Sequence, residues 1–289
     1  MAQCRDKCLW GYVQLFRQAL IGCLAFLCAC GQTPTRHDAQ TRPNRIVSLD
    51  YCADQFVLKL ANRADIAALS VDATRSFSYL REQATGLPRV RASAEDVLAL
   101  KPDLIVRSYG GGPQAAAFFA RAGIKVHQIG WGDDFDAVRS NVMDAATALG
   151  QGARGQDVVA AFDQRLANMP KAKGQAALYL TPSGVTSGRG SMIDKMIVAA
   201  GLSNFQQKAG WHPIDLESLL LRQPDMIARA HFGAHTDSLD QWSVMRHPQV
   251  RRLTQDLPVA NFDGATTSCG GWFVLDAVSA MAHVGKNLP

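Results

Sequence analysis

Short apolar runs alternate with longer amphipathic stretches along most of the chain. Residues 46–49 (IVSL), 66–70 (IAALS), 103–106 (DLIV), 125–129 (KVHQI), 176–180 (AALYL), 225–230 (DMIARA) and 259–262 (VANF) each read as a brief strand. Between them, residues 53–61, 113–121, 134–169, 191–200 and 272–284 keep helical spacing. Near-continuous apolar strands are what a parallel sheet covered on both faces requires. Strand and helix in regular alternation predict parallel sheets with right-handed crossovers.

One unit occurs twice. Aligning Glu95 with Glu217 also superposes Leu98 on Leu220, Pro102 on Pro224, Asp103 on Asp225, Ile105 on Ile227 and Arg107 on Arg229, without a gap. These identities point to duplication. In each copy Ser93 or Asp215 offers an N-cap oxygen to a short helix, and the Glu lies in the first turn, where the helix dipole favours an anion. A proline then stops the helix and a buried strand follows. Two copies predict two similar α/β lobes rather than a solenoid.

The expected organisation is a signal peptide (1–29), an acylated Cys with a flexible tether (30–44), a first α/β lobe (45–133), a helical connector (134–173) and a second α/β lobe (174–289). Two surface helices of one larger domain are the alternative reading of the connector. At 289 residues, two domains fit the length. A hydrophobic content of 47% supports two cores, and 19% charged residues is ordinary. The net charge of +5 is partly carried by Arg5, Lys7 and Arg17 in the leader, and what remains is too scattered for a nucleic-acid partner.

Residues 19–29 (ALIGCLAFLCA) form an uncharged apolar run that is short of the roughly 18 residues a spanning helix needs, so it fits a signal peptide. The run ends in Leu27-Cys28-Ala29-Cys30, which resembles the lipobox of bacterial lipoproteins, with Cys30 the acylated residue. Ordinary cleavage after Ala29-Cys30-Gly31 is the rival. Under either reading Cys52 and Cys269 are the thiols left in the mature chain, and in an oxidising compartment they either pair or stay buried and free.

Ligands of open α/β sheets lie outside the carboxyl ends of the strands. The loops there carry Tyr51, Tyr109, Trp131, Arg189, His231, Phe232 and Trp272, an aromatic and cationic set suited to a large, partly apolar, oxygen-rich ligand. Enzyme motifs fail. Gly188-Arg189-Gly190 lacks the rest of a phosphate loop, and no Gly-x-Ser-x-Gly elbow exists. His231 and His235 are spaced like helical metal ligands, but Gly233 lies between them and no acidic base does. Neither catalysis, a metal nor a cofactor is expected. A secreted α/β enzyme or metal-site protein is kept as the reading from another class.

From residue 45 to 283 the chain resembles the periplasmic substrate-binding proteins of ABC importers for vitamin B12 and ferric siderophores. The resemblance rests on R-I-V-S-L at 45–49, A-E-D-V-L-A-L-K-P-D-L-I-V at 94–106, T-S-G-R-G-S at 186–191, A-A-G-L-S-N-F at 199–205 and W-H-P-I-D-L-E-S-L-L at 211–220. It implies two Rossmann-like lobes with mainly parallel sheets joined by a long connecting helix, the class III architecture, with ligand held between the lobes of a monomer. Glu95 and Glu217 match the family's docking contacts for basic residues of the permease dimer, which works with its ATPase. Trp211 matches an aromatic of the corrinoid binders. Arg89 and Arg91 stand where another aromatic would be, closer to the siderophore binders. A ferric siderophore is therefore the expected ligand and a corrinoid the alternative, in a periplasmic protein tied to a membrane by lipid.

Overall fold

The computed structural model describes residues 42–233 and 244–289. The signal run, Cys30, nearly all of the tether and His235 lie outside the described residues. The first lobe is built on β1 (Ile46–Ser48), β2 (Ile66–Ser70), β3 (Arg89–Val90), β4 (Leu104–Arg107) and β5 (Lys125–Gln128), all parallel, in the order β3-β2-β1-β4-β5. The second lobe contributes β6 (Ala176–Leu180), β7 (Val185–Ser187), β8 (Ser203–Asn204), β9 (Trp211–Pro213), β10 (Met226–His231) and β11 (Val259–Asp263). Its parallel sheet has the order β11-β10-β6-β8, while β7 and β9 form a separate antiparallel ribbon. Read from the other side, β8-β6-β10-β11 repeats the connectivity of β2-β1-β4-β5, so the duplication extends through the sheets.

The helices start where the sequence supplies caps. Asp50 accepts from the Ala53 amide at the head of α1 (Tyr51–Leu60), and Ser93 from that of Asp96 at the head of α2 (Ala94–Ala99). Next come α3 (Ala115–Arg121), α4 (Phe135–Ala148), capped by Asp134, α5 (Gly152–Ala167) and α6 (Met192–Ala199), capped by Ser191. Asp215 caps α7 (Leu216–Leu221), and α8 (Pro248–Gln255) and α9 (Val274–Gly285) complete the chain. The Asp of each repeat fixes the strand beside it: Asp103 accepts from the amides of Asn44 and Arg45 at the entry to β1, and Asp225 from that of Ala176 at the entry to β6.

The connector is a helical hairpin, broken between Ala148 and Gly152. Gly155 packs so closely on Ala146 that a Cβ there would lie 2.4 Å from the Ala146 Cβ. The hairpin serves both cores. Val142, Ala145, Ala146, Leu149 and Val158 pack with the first lobe, whereas Val138, Phe162 and Met169 pack with the second. α5, about 24 Å long, is the helix that passes from one lobe to the other.

Further contacts brace the lobes beside the connector. Cys52 on α1 and Cys269 in the second lobe form a disulfide, their Cα atoms 5.6 Å apart. The Tyr79 hydroxyl donates to Asp276 at 2.6 Å, and Arg81 pairs with Asp263 at 2.7 Å. Gly132 and Gly270 pack backbone to backbone, where a Cβ on Gly132 would lie 2.6 Å from the Gly270 Cα. Among the described residues, no helix is long and apolar enough to cross a membrane.

Candidate functional site

The first-lobe side of the site is organised by Asp50, which is almost fully buried. Besides capping α1, its Oδ2 accepts from the backbone amides of Ser108, Tyr109 and Gly110 at 2.7, 3.0 and 2.9 Å. One carboxylate thus fixes both the turn that carries Tyr51 and the loop that carries Tyr109. Glycine is required at 110, because a Cβ would come within 2.3 Å of the Leu49 carbonyl oxygen. Arg107 completes the loop, donating from Nε to the Gly110 carbonyl at 2.8 Å, from Nη2 to that of Gly112 at 2.9 Å and from Nη1 to the Gln128 side-chain oxygen at 2.9 Å.

Three rings meet over this frame. Tyr51 packs edge-on against Phe77 (centroids 4.7 Å apart) and against Tyr109 (6.0 Å). Burial, with the nearby Asp50 charge, raises the Tyr51 phenol above its ordinary value. Burial, then the neighbouring Tyr51 and Asp50, raises that of Tyr109. Both hydroxyls are therefore neutral at physiological pH, able to donate or accept. Trp131, in the loop after β5, is 77% exposed and extends the same strand edge.

On the second lobe, β9 places Trp211 edge-on to the buried Tyr179, their centroids 6.0 Å apart, and leaves it 54% exposed. Arg189 follows β7, paired to β9, and is also exposed. Where β6 and β10 end, a cavity of about 1070 Å³ is lined by Leu180, Thr181, Arg229, His231, Arg246 and Arg251 among others. Its lining is cationic. His231 is the last residue of β10, opposite Asp263 on β11, rather than the first of a loop.

Several expected site residues lie elsewhere than the sequence implies. Tyr51 and Cys52 belong to the first turn of α1, because Asp50 caps it and starts it two residues earlier than the apolar spacing shows. Trp272 precedes α9 and packs against both lobe cores, edge-on to Phe56 at 5.7 Å and beneath the Lys59 ammonium. Its place is in the brace between the lobes, below the loops. Arg91 is held by Asp96 at 2.8 Å, and that hydrogen bond keeps the Asp96 carboxyl below its usual range. Glu95 and Glu217 are both exposed, in the first turns of α2 and α7.

Sequence reasoning passed over Asp50, Phe77 and the Arg229 cavity. Phe77 sits in a polar, irregular stretch with no periodicity to mark it. Arg229 could have been found, since the repeat aligns it with Arg107.

Two parallel α/β lobes joined through a helix, with aromatic and cationic side chains at their strand ends, define a class III substrate-binding protein. The chain belongs to the periplasmic binding protein family, whose model matches residues 46–254. Solved structures share the fold. A periplasmic heme-binding protein from Pseudomonas aeruginosa aligns with a TM-score of 0.67 at 21% identity, over 86% of this chain and 94% of its own. The periplasmic vitamin B12-binding protein of Vibrio cholerae gives 0.62 at 20%, over 85% and 99%. An ABC-type Fe3+-hydroxamate transport protein from Saccharomonospora viridis gives 0.61 at 20%, over 84% and 93%. No curated protein matches the sequence.

Proposed function

We propose that this protein is the receptor of an ABC importer, that it captures a ferric siderophore or similar iron chelate between its lobes, and that it delivers the chelate to an inner-membrane permease. What supports this reading is that aromatic and cationic side chains stand at the strand ends of both lobes in a chain of this family. Tyr51, Phe77, Tyr109 and Trp131 gather at the strand ends of one lobe. The other lobe carries the exposed Trp211 and Arg189 and, separately, the arginine-lined cavity. Rings hold an apolar body by stacking, and guanidiniums hold oxygen-rich, anionic edges. The names of the similar structures, recording heme, vitamin B12 and Fe3+-hydroxamate, span that chemistry. The half-exposed Trp211 gives a corrinoid its claim as the second reading, because a broad indole face suits a corrin.

Glu95 and Glu217 are the docking carboxylates in this reading. Helices of such a sheet run against the strands, so the first turns of α2 and α7 rise to the same edge as the ligand loops. Two equivalent carboxylates there suit two equivalent cations on a permease dimer, setting orientation and encounter rate. Export by the N-terminal run and acylation at Cys30 complete the proposal. The chain would act as a monomer held at the membrane.

The experiment is a fluorescence titration of the purified mature protein with ferrioxamine B, ferric citrate, hemin and cyanocobalamin. Absorbing chelates near Trp131 and Trp211 quench intrinsic fluorescence at micromolar concentration. If none of the four quenches or shifts the unfolding midpoint, the ligand class is wrong.

A further inference from the structure

The two docking helices share a feature that neither capping nor core packing accounts for. Each buries one apolar residue at an equivalent place, Val97 on α2 and Leu219 on α7. The next position is leucine in both repeats and faces outward, with Leu98 37% and Leu220 60% exposed. Leu98 and Leu220 each lie three residues after the exposed Glu95 or Glu217, where helical side chains are neighbours. A carboxylate with a leucine beside it is thus present twice, at sites related by the duplication. On α7 the apolar half is larger. Leu221 is 84% exposed, while its counterpart on α2 is Ala99.

We infer that each docking contact is composite, a carboxylate for a partner cation and a leucine for an apolar patch beside it, and that Leu221 makes the second-lobe contact the dominant one. The inference rests on the receptor reading and commits to its partner: the outer face of the permease dimer, offering one cation beside one apolar patch in each half. The additional leucine makes the two halves of the contact unequal in strength, whichever half of the dimer meets α7. Leucines that become buried on docking supply contact energy that salt does not screen, whereas the Glu contacts weaken as ionic strength rises.

The test measures binding of the mature protein to its permease–ATPase complex in lipid nanodiscs, across a salt series. The variants are Leu98→Ser, Leu220→Ser with Leu221→Ser, and Glu95→Arg with Glu217→Arg. All the altered side chains are exposed, so folding is retained, and chelate quenching and far-UV circular dichroism confirm it. The double leucine variant should bind about tenfold more weakly, with an unchanged salt slope, as expected for lost apolar burial. Leu98→Ser should lose less, and the charge reversal should abolish binding. Wild-type affinity in both leucine variants, with binding lost on charge reversal, overturns the composite contact and leaves docking intact. Undiminished binding on charge reversal instead overturns the docking reading itself. Leucine variants that alter only sedimentation, or only binding to protein-free phosphatidylethanolamine–phosphatidylglycerol vesicles, overturn the inference in favour of self-association or a lipid surface.

Discussion

Asp50 and Asp54 lie one turn apart at the start of α1, both buried, and their surroundings treat them differently. Asp50 is surrounded by donors: three loop amides and one helix amide converge on it. Asp50→Ala strands those amides, and because a buried polar group left unpaired costs about 1–3 kcal/mol, urea denaturation should show a loss of at least about 2 kcal/mol together with weaker chelate quenching. Around Asp54 only Ser70 and Ser48 offset the burial, and burial lifts its carboxyl to about 6. With its pKa raised on folding, the group favours the native state fully at pH below the unfolded value. That contribution is lost as pH rises through about 6. Asp54→Asn can keep both bonds to Ser70 without the charge. Its stability relative to wild type should therefore climb by roughly 1–3 kcal/mol between pH 4 and pH 7, read from thermal midpoints across that range. A parallel pH profile for the two proteins would contradict this account. Neither role was legible in the sequence. Asp50 reads there as a turn residue and Asp54 as one polar position on an amphipathic helix, since a carboxylate's environment is set by residues far along the chain.

At the scale of elements, what the sequence disclosed best was what it repeated. The helix–proline–aspartate–strand unit predicts α2 with β4 and α7 with β10, and both form. The aspartates do the same work in each lobe, pinning the entry of β1 or β6. Asp103→Ala and Asp225→Ala should each destabilise by about 1 kcal/mol in chemical denaturation, and equal costs are the signature of duplicated function. Strands without an apolar run stayed hidden. β3 and β8 are two residues long, and β7 contains Thr186 and Ser187, polar yet fully buried, so a reading based on hydrophobicity takes the segment for a loop. For the same reason the antiparallel β7–β9 ribbon departs from the parallel pattern expected throughout. The aromatic site was half legible. Its tyrosines and tryptophans follow predicted strands, but which of them meet depends on caps and loop closures, and Trp272 shows how an aromatic at a strand end can serve the core instead.

For the whole molecule, the brace between the lobes is the dominant mechanical fact: a disulfide, a half-buried tryptophan shared by two cores, an ion pair and a glycine–glycine contact all join the lobes beside the connector. Cys52→Ser with Cys269→Ser should lower stability by about 2–4 kcal/mol, measured against the oxidised wild type, while leaving secondary structure intact. Because the lobes are tied by more than the sulfurs, that variant should still quench with chelates, with faster ligand release in stopped-flow displacement. Release unchanged from wild type would mean the disulfide does not restrain the cleft. The same bond also sets a timetable. Its cysteines are 217 residues apart, one just past the tether and the other twenty residues from the C-terminus. The first thiol must wait, reactive, until the second has been made 217 residues later, and only a compartment that oxidises thiols can then join the two. A copy kept in a reducing compartment lacks this fastening between its lobes.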